Sequence, residues 1–564
     1  MPERSAPART RRATRRRIVV LVSAVAILAI TLSVAMRPFE DPRRDSSTSS
    51  TASPPRTRAA SPSPVPGATT AAPLVPASAQ AVAPLPSTSS SPIPRIAIVP
   101  IVGFWSTDRT MSSGQIRAAL AGRDRRFRLV VVADPDLAAI AAALGVAVGP
   151  EVKHVPPGAV VATVLGRSDV LGLVRAGDVR PSVRALGVDG RTLFGTTRLR
   201  STAAWPLTIP GPGPTATATP VAASDFDPAA TWTLVAAGDV MNDRAVYRQT
   251  MILGKGPDFP WLGGMARIVR RNCCRAGLST VTARRTGSAG SVAALFTGAD
   301  LALVNHEGPA PDRFTYHPSG LVFTFDPRLE VGLRNAGVDA VSLANNHIRN
   351  AGSVGVLETI RAVTAVGIVP VGAGGNLEAA RKPAWFTIEG VRVAILAYDA
   401  INLAAAGATR TRAGAAPLDL RLCRTDITQA RKDGAKVVIV VPHWGVEYTA
   451  RPTARQRVQA AALIGAGADV VLGSHPHWAG ALEAIGDGVV LYSLGNLIFD
   501  LPRSEETDEG LIVELTFVGG RLAQLDIHPT IELDRSQPNL LDPSGDGRIV
   551  LDRVRHASKG FLRW

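Results

Sequence analysis

Short apolar runs recur along the second half of this chain, and helical patterns separate several of them. The runs are Thr233 to Ala237, Leu301 to Val304, Ala340 to Leu343, Ile368 to Val371, Val391 to Ala397, Lys436 to Val441, Asp469 to Leu472 and Val489 to Tyr492. Continuous apolar stretches of this length predict buried strands. Residues Val354 to Val366 and Ala454 to Ala466 repeat apolar positions at the helical period. Leu511 to Phe517 and Leu522 to Ile527, split by Gly519 and Gly520, read as an antiparallel hairpin. A smaller α/β pattern lies earlier: Ile96 to Gly103 and Leu129 to Asp134 as strands, Ser113 to Ala121 and Leu137 to Leu144 as helices. No repeat of fixed period is present.

With 564 residues the chain is too long for one core. It divides into a basic tail 1–17, an apolar segment 18–36, a Pro/Ser/Thr-rich linker 37–93, a small α/β accessory domain 94–205, a Pro-rich linker 206–230, a main α/β domain 231–533 and a C-terminal tail 534–564. The linker composition cannot bury enough apolar surface to offset chain entropy. Ile18 to Met36 is unbroken by charge and matches the ~20 residues that cross a bilayer. Arg4, Arg9, Arg11, Arg12, Arg15, Arg16 and Arg17 precede it, so the positive-inside rule predicts a single-pass anchor with everything after Arg37 extracytoplasmic. Ser33-Val34-Ala35 leaves a cleaved signal peptide as the alternative.

The net charge of +16 first suggests nucleic acid. The excess is mostly Arg, and no aromatic residues interleave with it, so it reads as compositional bias and nucleic acid is not an expected partner. Of the three cysteines, Cys273 and Cys274 are adjacent and Cys423 can bridge only one of them. They form no disulfide framework and receive no catalytic role.

The chemistry gathers where predicted strands end, which is where open α/β sheets bind ligands. Asp239 follows the first strand of the main domain; Asn305, His306 and Glu307 follow the next; Asn345, Asn346 and His347 close the stretch DAVSLANNHIRNAG. His443 and Glu447 follow another strand, and His475 and His477 another. Singly, such an Asp is most often a turn or helix cap and such a His a packed ring. Together, carboxylate, imidazole and amide oxygen make a mixed N/O set suited to Zn, Mn or Fe, with enough ligands for two ions roughly 3.5–4 Å apart.

GDVMNDR, NHEGP, SLANNHIRNAG, HWGVEY, GADVVLGSHPHW and LYSLGNLIFD resemble, in order and spacing, the motifs of the CapA family of poly-γ-glutamate capsule biosynthesis proteins, over about residues 232 to 530. The resemblance implies a four-layer α/β/β/α sandwich of the calcineurin-like metallophosphoesterase type. It implies Asp239, Glu307, Asn346, His443, His475 and His477 as metal ligands around two divalent ions. It assigns catalytic roles to His347 and Asp239, and it puts Asn305, Trp444, Glu447, Tyr448 and Asn496 at the substrate. Asn350 stands where family members commonly carry a carboxylate, and His306 where they often have an apolar residue. Gly264 to Ser291 looks inserted. In the accessory domain, FWST, GQIRAALAG and RALGVDG are similar to one half of a phosphate-type solute-binding domain.

The function this implies is a membrane-anchored, extracytoplasmic, metal-dependent hydrolase or transferase in capsule or other envelope-polymer biosynthesis. Its expected partners are the membrane, an anionic polymer such as poly-γ-glutamate, and membrane-bound synthase subunits. A non-catalytic factor that binds the polymer on the same scaffold and a plain exported phosphoesterase are the alternatives.

Overall fold

The computed structural model describes residues 94–211, 226–271 and 281–562. They belong to one compact unit, Ser89–Trp564. The apolar run Ile18 to Met36, the linker 37–93 and the pair Cys273 and Cys274 lie outside the described residues. Within these no helix is long and apolar enough to cross a membrane.

The small lobe is built on β1 (Arg95–Gly103), a strand buried from Ala97 onward. Around it stand α1 (Ser113–Leu120), β2 (Leu129–Ala133), α2 (Leu137–Leu144), β3 (Val152–Val155), α3 (Ala159–Val164), β4 (Val170–Arg175), β5 (Val183–Ala185) and β6 (Thr208–Pro210). The sheet order is β3-β2-β4-β1-β5, with β6 also on β1. Ser112 and Gln115 close a capping box at the start of α1, which fixes where that helix begins. Because β6 pairs antiparallel with β1 through Ile96↔Ile209, the lobe runs to Pro210 and the linker expected from residue 206 begins later.

In the large lobe, β7 (Thr231–Val240) leads, followed by β8 (Met265–Arg270), β9 (Thr282–Gly287), β10 (Leu301–His306), β11 (Ala340–Ser342), α4 (Gly352–Ala365) and β12 (Val369–Val371). Next come β13 (Ala384–Ile388), β14 (Val391–Asp399), α5 (Leu420–Lys432), β15 (Val437–His443), α6 (Ala454–Gly465), β16 (Val470–Leu472), β17 (Leu482–Ile485) and β18 (Gly488–Leu491). The chain ends through β19 (Asn496–Ile498), β20 (Glu509–Val518), β21 (Arg521–Leu533), β22 (Gln537–Leu541) and α7 (Gly547–Ala557).

These strands form two sheets, β9-β8-β22-β21-β20-β7-β10-β11-β12 with β19 on β7, and β13-β14-β15-β16-β18-β17. Alternation along each strand packs them together. From β7, Leu234 and Ala236 join Ile395, Ile439 and Leu472 of the other sheet in one core. Val235 and Ala237 face the opposite way, onto Phe296, Val356 and Val363 beside α4. On the far side, Leu396 and Val440 pack against Ile427 of α5 and Leu463 of α6. The layers therefore run helix, sheet, sheet, helix.

One expectation is corrected by the packing. The segment after Asp534 is not a tail: β22 pairs with β21 and β8, and α7 buries Val550 and Val554. Residues 264–291 include the hairpin strands β8 and β9, which extend the edge of the first sheet. Apolar residues at helical spacing in α7, not the polar loops around it, carry that segment into the fold. Cys423 is buried in α5 as a free thiol, pushed up to about 12 by burial and by Asp426 nearby, which leaves it unreactive.

The lobes are locked by polar groups reaching across. The carboxylate of Asp300 accepts from Arg198 Nη2 (2.6 Å), Arg200 Nη2 (2.7 Å) and the Thr233 amide (2.7 Å). Gln524 Oε1 accepts from the Ala185 amide at 3.1 Å, and Glu514 accepts from the Thr196 amide. The Arg198 side chain is only 1% exposed, so its charge depends on Asp300. Asp300→Ala is expected to destabilise the protein by about 3–5 kcal/mol, the range for stranding a buried charge. Urea unfolding of the variant measures it, and a loss under about 1 kcal/mol would mean that the pair is merely a surface bridge.

Candidate metal centre

Parallel pairing brings the carboxyl ends of several strands to one place. Asn305 of β10 lies opposite Asp239 of β7, Asn496 of β19 also lies opposite Asp239, and Asp399 of β14 lies opposite His443 of β15. Beyond the strands, Glu307 N–H donates to Val240 O (2.9 Å) and Ser474 N–H to Pro442 O (3.1 Å), which carries the alignment into the loops. Gly238 is required for it: a Cβ there would sit 1.8 Å from Gly495 O. His475 and His477 hold left-handed backbone, φ 93° and 60°, a conformation that non-glycine residues adopt at a cost and that clusters at functional sites.

At the meeting point, Asp239, Glu307 and His443 present ligand atoms within 4.8 Å of one another, all buried. Asn346 Oδ1 lies 2.8 Å and Glu307 Oε1 3.3 Å from His443 Nε2. Asp239 Oδ2 is buried without a hydrogen-bond partner. Asp239 Oδ2 thus faces the cluster with its lone pairs unused, which is the pattern a cation resolves, and the carboxylate, imidazole and amide set fits a divalent ion. Electrostatics point the same way. Burial and then the Asp239 charge push the Glu307 carboxyl well up, whereas Asp239, which burial would raise, is held below the usual range by His477. Burial takes His443 down to about 3 and His475 to about 2, so both rings are neutral and keep a lone pair.

Ring and amide contacts complete the centre. His475 lies 4.9 Å from the His443 ring and 6.1 Å from that of His477. His477 Nδ1 is 2.9 Å from Asn496 Oδ1 and 3.3 Å from Asp239 Oδ2. His347 stands at the edge, packed on Phe323 at 4.2 Å.

Three residues expected at the substrate do other work. Trp444 is fully buried, donating its indole N–H to Tyr492 O (3.0 Å), because its side chain faces α6 and not the strand ends. Asn305 is buried between the carboxylates and donates to Asp239 Oδ1 (2.8 Å) and to Glu307 Oε2, so it holds them side by side. Asn496, also buried, donates to Thr507 O (2.9 Å) and orients the His477 ring. Glu447 is exposed, and Tyr448 lies beneath the guanidinium of Arg503 (4.1 Å) and over His477 (6.1 Å). A cavity of about 790 Å³ has Tyr448, Trp478, Arg451 and Arg553 in its wall, and neither Asp239 nor Glu307 lines it.

The sequence reading passed over several contributors. Ser474 Oγ meets His443 Nδ1 at 2.9 Å and sets that ring, but a serine between strand and His-Pro-His has no distinguishing pattern. Asp399 ends β14 beside His443 with one buried oxygen unpartnered; its strand-end position is the signal that could have found it. Arg244 donates to Asp500 O (3.1 Å) and Gly320 O and lies over Phe323, bracing the wall behind His347. His306 has a structural explanation. It is fully buried, with Nδ1 donating to Gly308 O (2.9 Å) and Nε2 to Glu330 (3.0 Å), and although burial lowers its pKa, Glu330 raises it further, so the ring is charged and paired.

Asn350 determines the state of His347. Its amide Nδ2 donates to Phe323 O (3.2 Å) and to His347 Nδ1 (3.2 Å), so Nδ1 is an acceptor and the ring proton sits on Nε2. Burial first, then the neighbouring His443, hold His347 down to about 3. Asn350→Asp places a carboxylate against Nδ1 and is expected to raise the His347 pKa and move its proton to Nδ1. Histidine ¹⁵N chemical shifts of the metal-free full-length chain across pH measure both, and an unchanged titration would show that Asn350 does not control the ring.

Residues 233–501 match the family model described as bacterial capsule synthesis protein PGA_cap. The capsule biosynthesis protein CapA of Bacillus anthracis is 32% identical over 234 residues, 41% of this chain and 56% of that protein. The PGA biosynthesis protein CapA of Bacillus subtilis is 30% identical over 221 residues, 39% and 58% of the two chains. The chain thus spans a little over half the length of these curated relatives. Among solved structures, a hypothetical protein from Thermus thermophilus aligns with TM-score 0.32 and 16% identity over 53% of this chain and 100% of that one. The calcineurin-like phosphoesterase YfkN from Bacillus subtilis aligns at 0.29 and 13% over 58% and 96%. An ABC-type phosphate transport receptor from Vibrio cholerae aligns at 0.19 and 13% over 21% and 55%.

Proposed function

We propose, from the premise that residues 233–501 belong to the bacterial capsule synthesis protein family, that this chain is a metal-dependent hydrolase or transferase of an extracytoplasmic polymer. The single observation that carries the reading is the convergence of buried Asp239, Glu307 and His443 with the Asn346 amide oxygen, which leaves Asp239 Oδ2 without a hydrogen-bond partner. Asp239, Glu307, Asn346, His443, His475 and His477 would hold one or two divalent ions on a metallophosphoesterase-like sandwich. Such ions supply a water acidified to near neutrality and a clamp on the reacting oxygens.

The protein's own groups then have definite tasks. Asn305 keeps the two carboxylates together although they repel, and Ser474 and Asn496 set the rings of His443 and His477. His347, with its proton on Nε2, would donate a hydrogen bond to an anionic group of the substrate.

The substrate proposed is a capsule or envelope polymer of the poly-γ-glutamate kind, by analogy with relatives whose names state capsule and PGA biosynthesis. Ile18 to Met36 would anchor the protein to the membrane. The full-length chain, purified in detergent, is expected to contain divalent metal by elemental analysis and to cleave a model phosphodiester or a γ-glutamyl amide. Asp239→Ala together with His475→Ala is expected to lose both the metal and at least a hundredfold of the rate, the scale of removing an essential charge-stabilising group. Metal-free protein that still binds the polymer would replace this reading with that of a non-catalytic assembly factor.

A further inference from the structure

A second cavity lies away from the metal centre, where the small lobe meets α7. It encloses about 340 Å³. Its wall combines the loop after β1, the turn between α3 and β4, the residue before β5, and one face of α7. Arg167 comes from the small lobe, and Arg548 and Arg555 come from α7. Seven residues apart on that helix, the latter two share a face, with Leu551 between them.

Its charge is unbalanced. Against those three arginines the wall holds one carboxylate, Asp552, which lies 3.7 Å from Arg548 Nε, and Arg167 also faces Asp169 at 3.3 Å just outside. Arg555 has no ion-pair partner among the described residues. Nor do the wall hydroxyls of Thr107, Ser168 and Ser182 make any side-chain hydrogen bond among those residues. Arginine forks and free hydroxyls are the donors that recognise an oxyanion. The cup between lobe and helix is kept open by Gly103: a Cβ there would meet Arg167 O at 2.7 Å, so a side chain would fill the space or push the loop away.

The geometry points to a binding site for an oxyanion, the phosphate or carboxylate group of a ligand, held by Arg167, Arg548 and Arg555 with Ser168, Ser182 and Thr107. This site is separate from the metal centre and does not rest on the function proposed for it. It also has a mechanical consequence, because an anion bridging Arg167 and Arg555 would tie the small lobe to the C-terminal helix. Two sources of such a group are considered, free phosphate and the side-chain carboxylates of an anionic polypeptide.

The test is calorimetric titration of the full-length chain with inorganic phosphate and, separately, with a short γ-glutamyl oligomer. It is run with chelator and in an Asp239→Ala background, so that the metal centre contributes nothing. Saturable binding of either probe is expected, weakened roughly tenfold by Arg555→Ala and further by Arg548→Ala with it, as for loss of a charged hydrogen bond. Ser182→Ala is expected to weaken it by a few-fold without altering unfolding. Tighter binding of phosphate identifies a free phosphate group as the ligand, and tighter binding of the oligomer identifies a polymer carboxylate. Binding that survives Arg548→Ala, Arg555→Ala and Arg167→Ala, or no binding of either probe at millimolar concentration, overturns the proposal. Failure of the metal assay would leave this result standing, and the reverse also holds.

Discussion

Two carboxyl groups buried side by side form the constraint on which the rest of the centre depends. Asp239 and Glu307 end neighbouring parallel strands, and removed from water they repel each other strongly. Asn305 donates to both, and His477 lies against one of them, yet Asp239 keeps an oxygen with no hydrogen-bond partner. A divalent ion held there would remove the repulsion and satisfy that oxygen at once. Every other feature of the site serves to hold these groups in place: Gly238 allows β19 to approach, and the left-handed backbone at His475 and His477 turns both rings inward.

The same logic of buried polar groups organises the joint between lobes. Apolar contact there runs both ways, with Phe104 joining the large-lobe core and Ala523 of β21 entering that of the small lobe. Directional bonds add to the fit: Arg198 to Asp300, the Ala185 amide to Gln524, and Arg521 to the Val179 and Gly177 carbonyls at 2.9 Å. Buried pairs of this kind set orientation more than they add stability. The small lobe is thereby aligned with β20, β21 and α7, and a cavity rich in arginine forms along that alignment.

Much of the large lobe was legible from its sequence, since fully buried strands read as apolar runs and their ends carry polar residues. The hairpin β20–β21 followed from period and glycines alone. The ends of the domain were not legible. A β-strand such as Gln537–Leu541 has too few apolar residues to signal itself and is specified by its neighbours β21 and β8. The extent of the small lobe was misjudged for a related reason: Thr208–Pro210 carries a proline, which suits an edge position that only β1 could supply.

By itself the sequence determined which residue types stand at which strand ends, and hence that carboxylates, imidazoles and amides gather at one edge. It also determined the family resemblance carried by residues 232 to 530. Tertiary structure decided what each of them does there. Asn305 and Asn496 resemble substrate contacts in a string of letters, but the register of β10 and β19 against β7 turns them toward Asp239 and His477. Trp444 follows His443 directly, yet strand alternation sends its side chain to the opposite face. Direction and distance are three-dimensional quantities, and they separate a ligand from the residue that aims it.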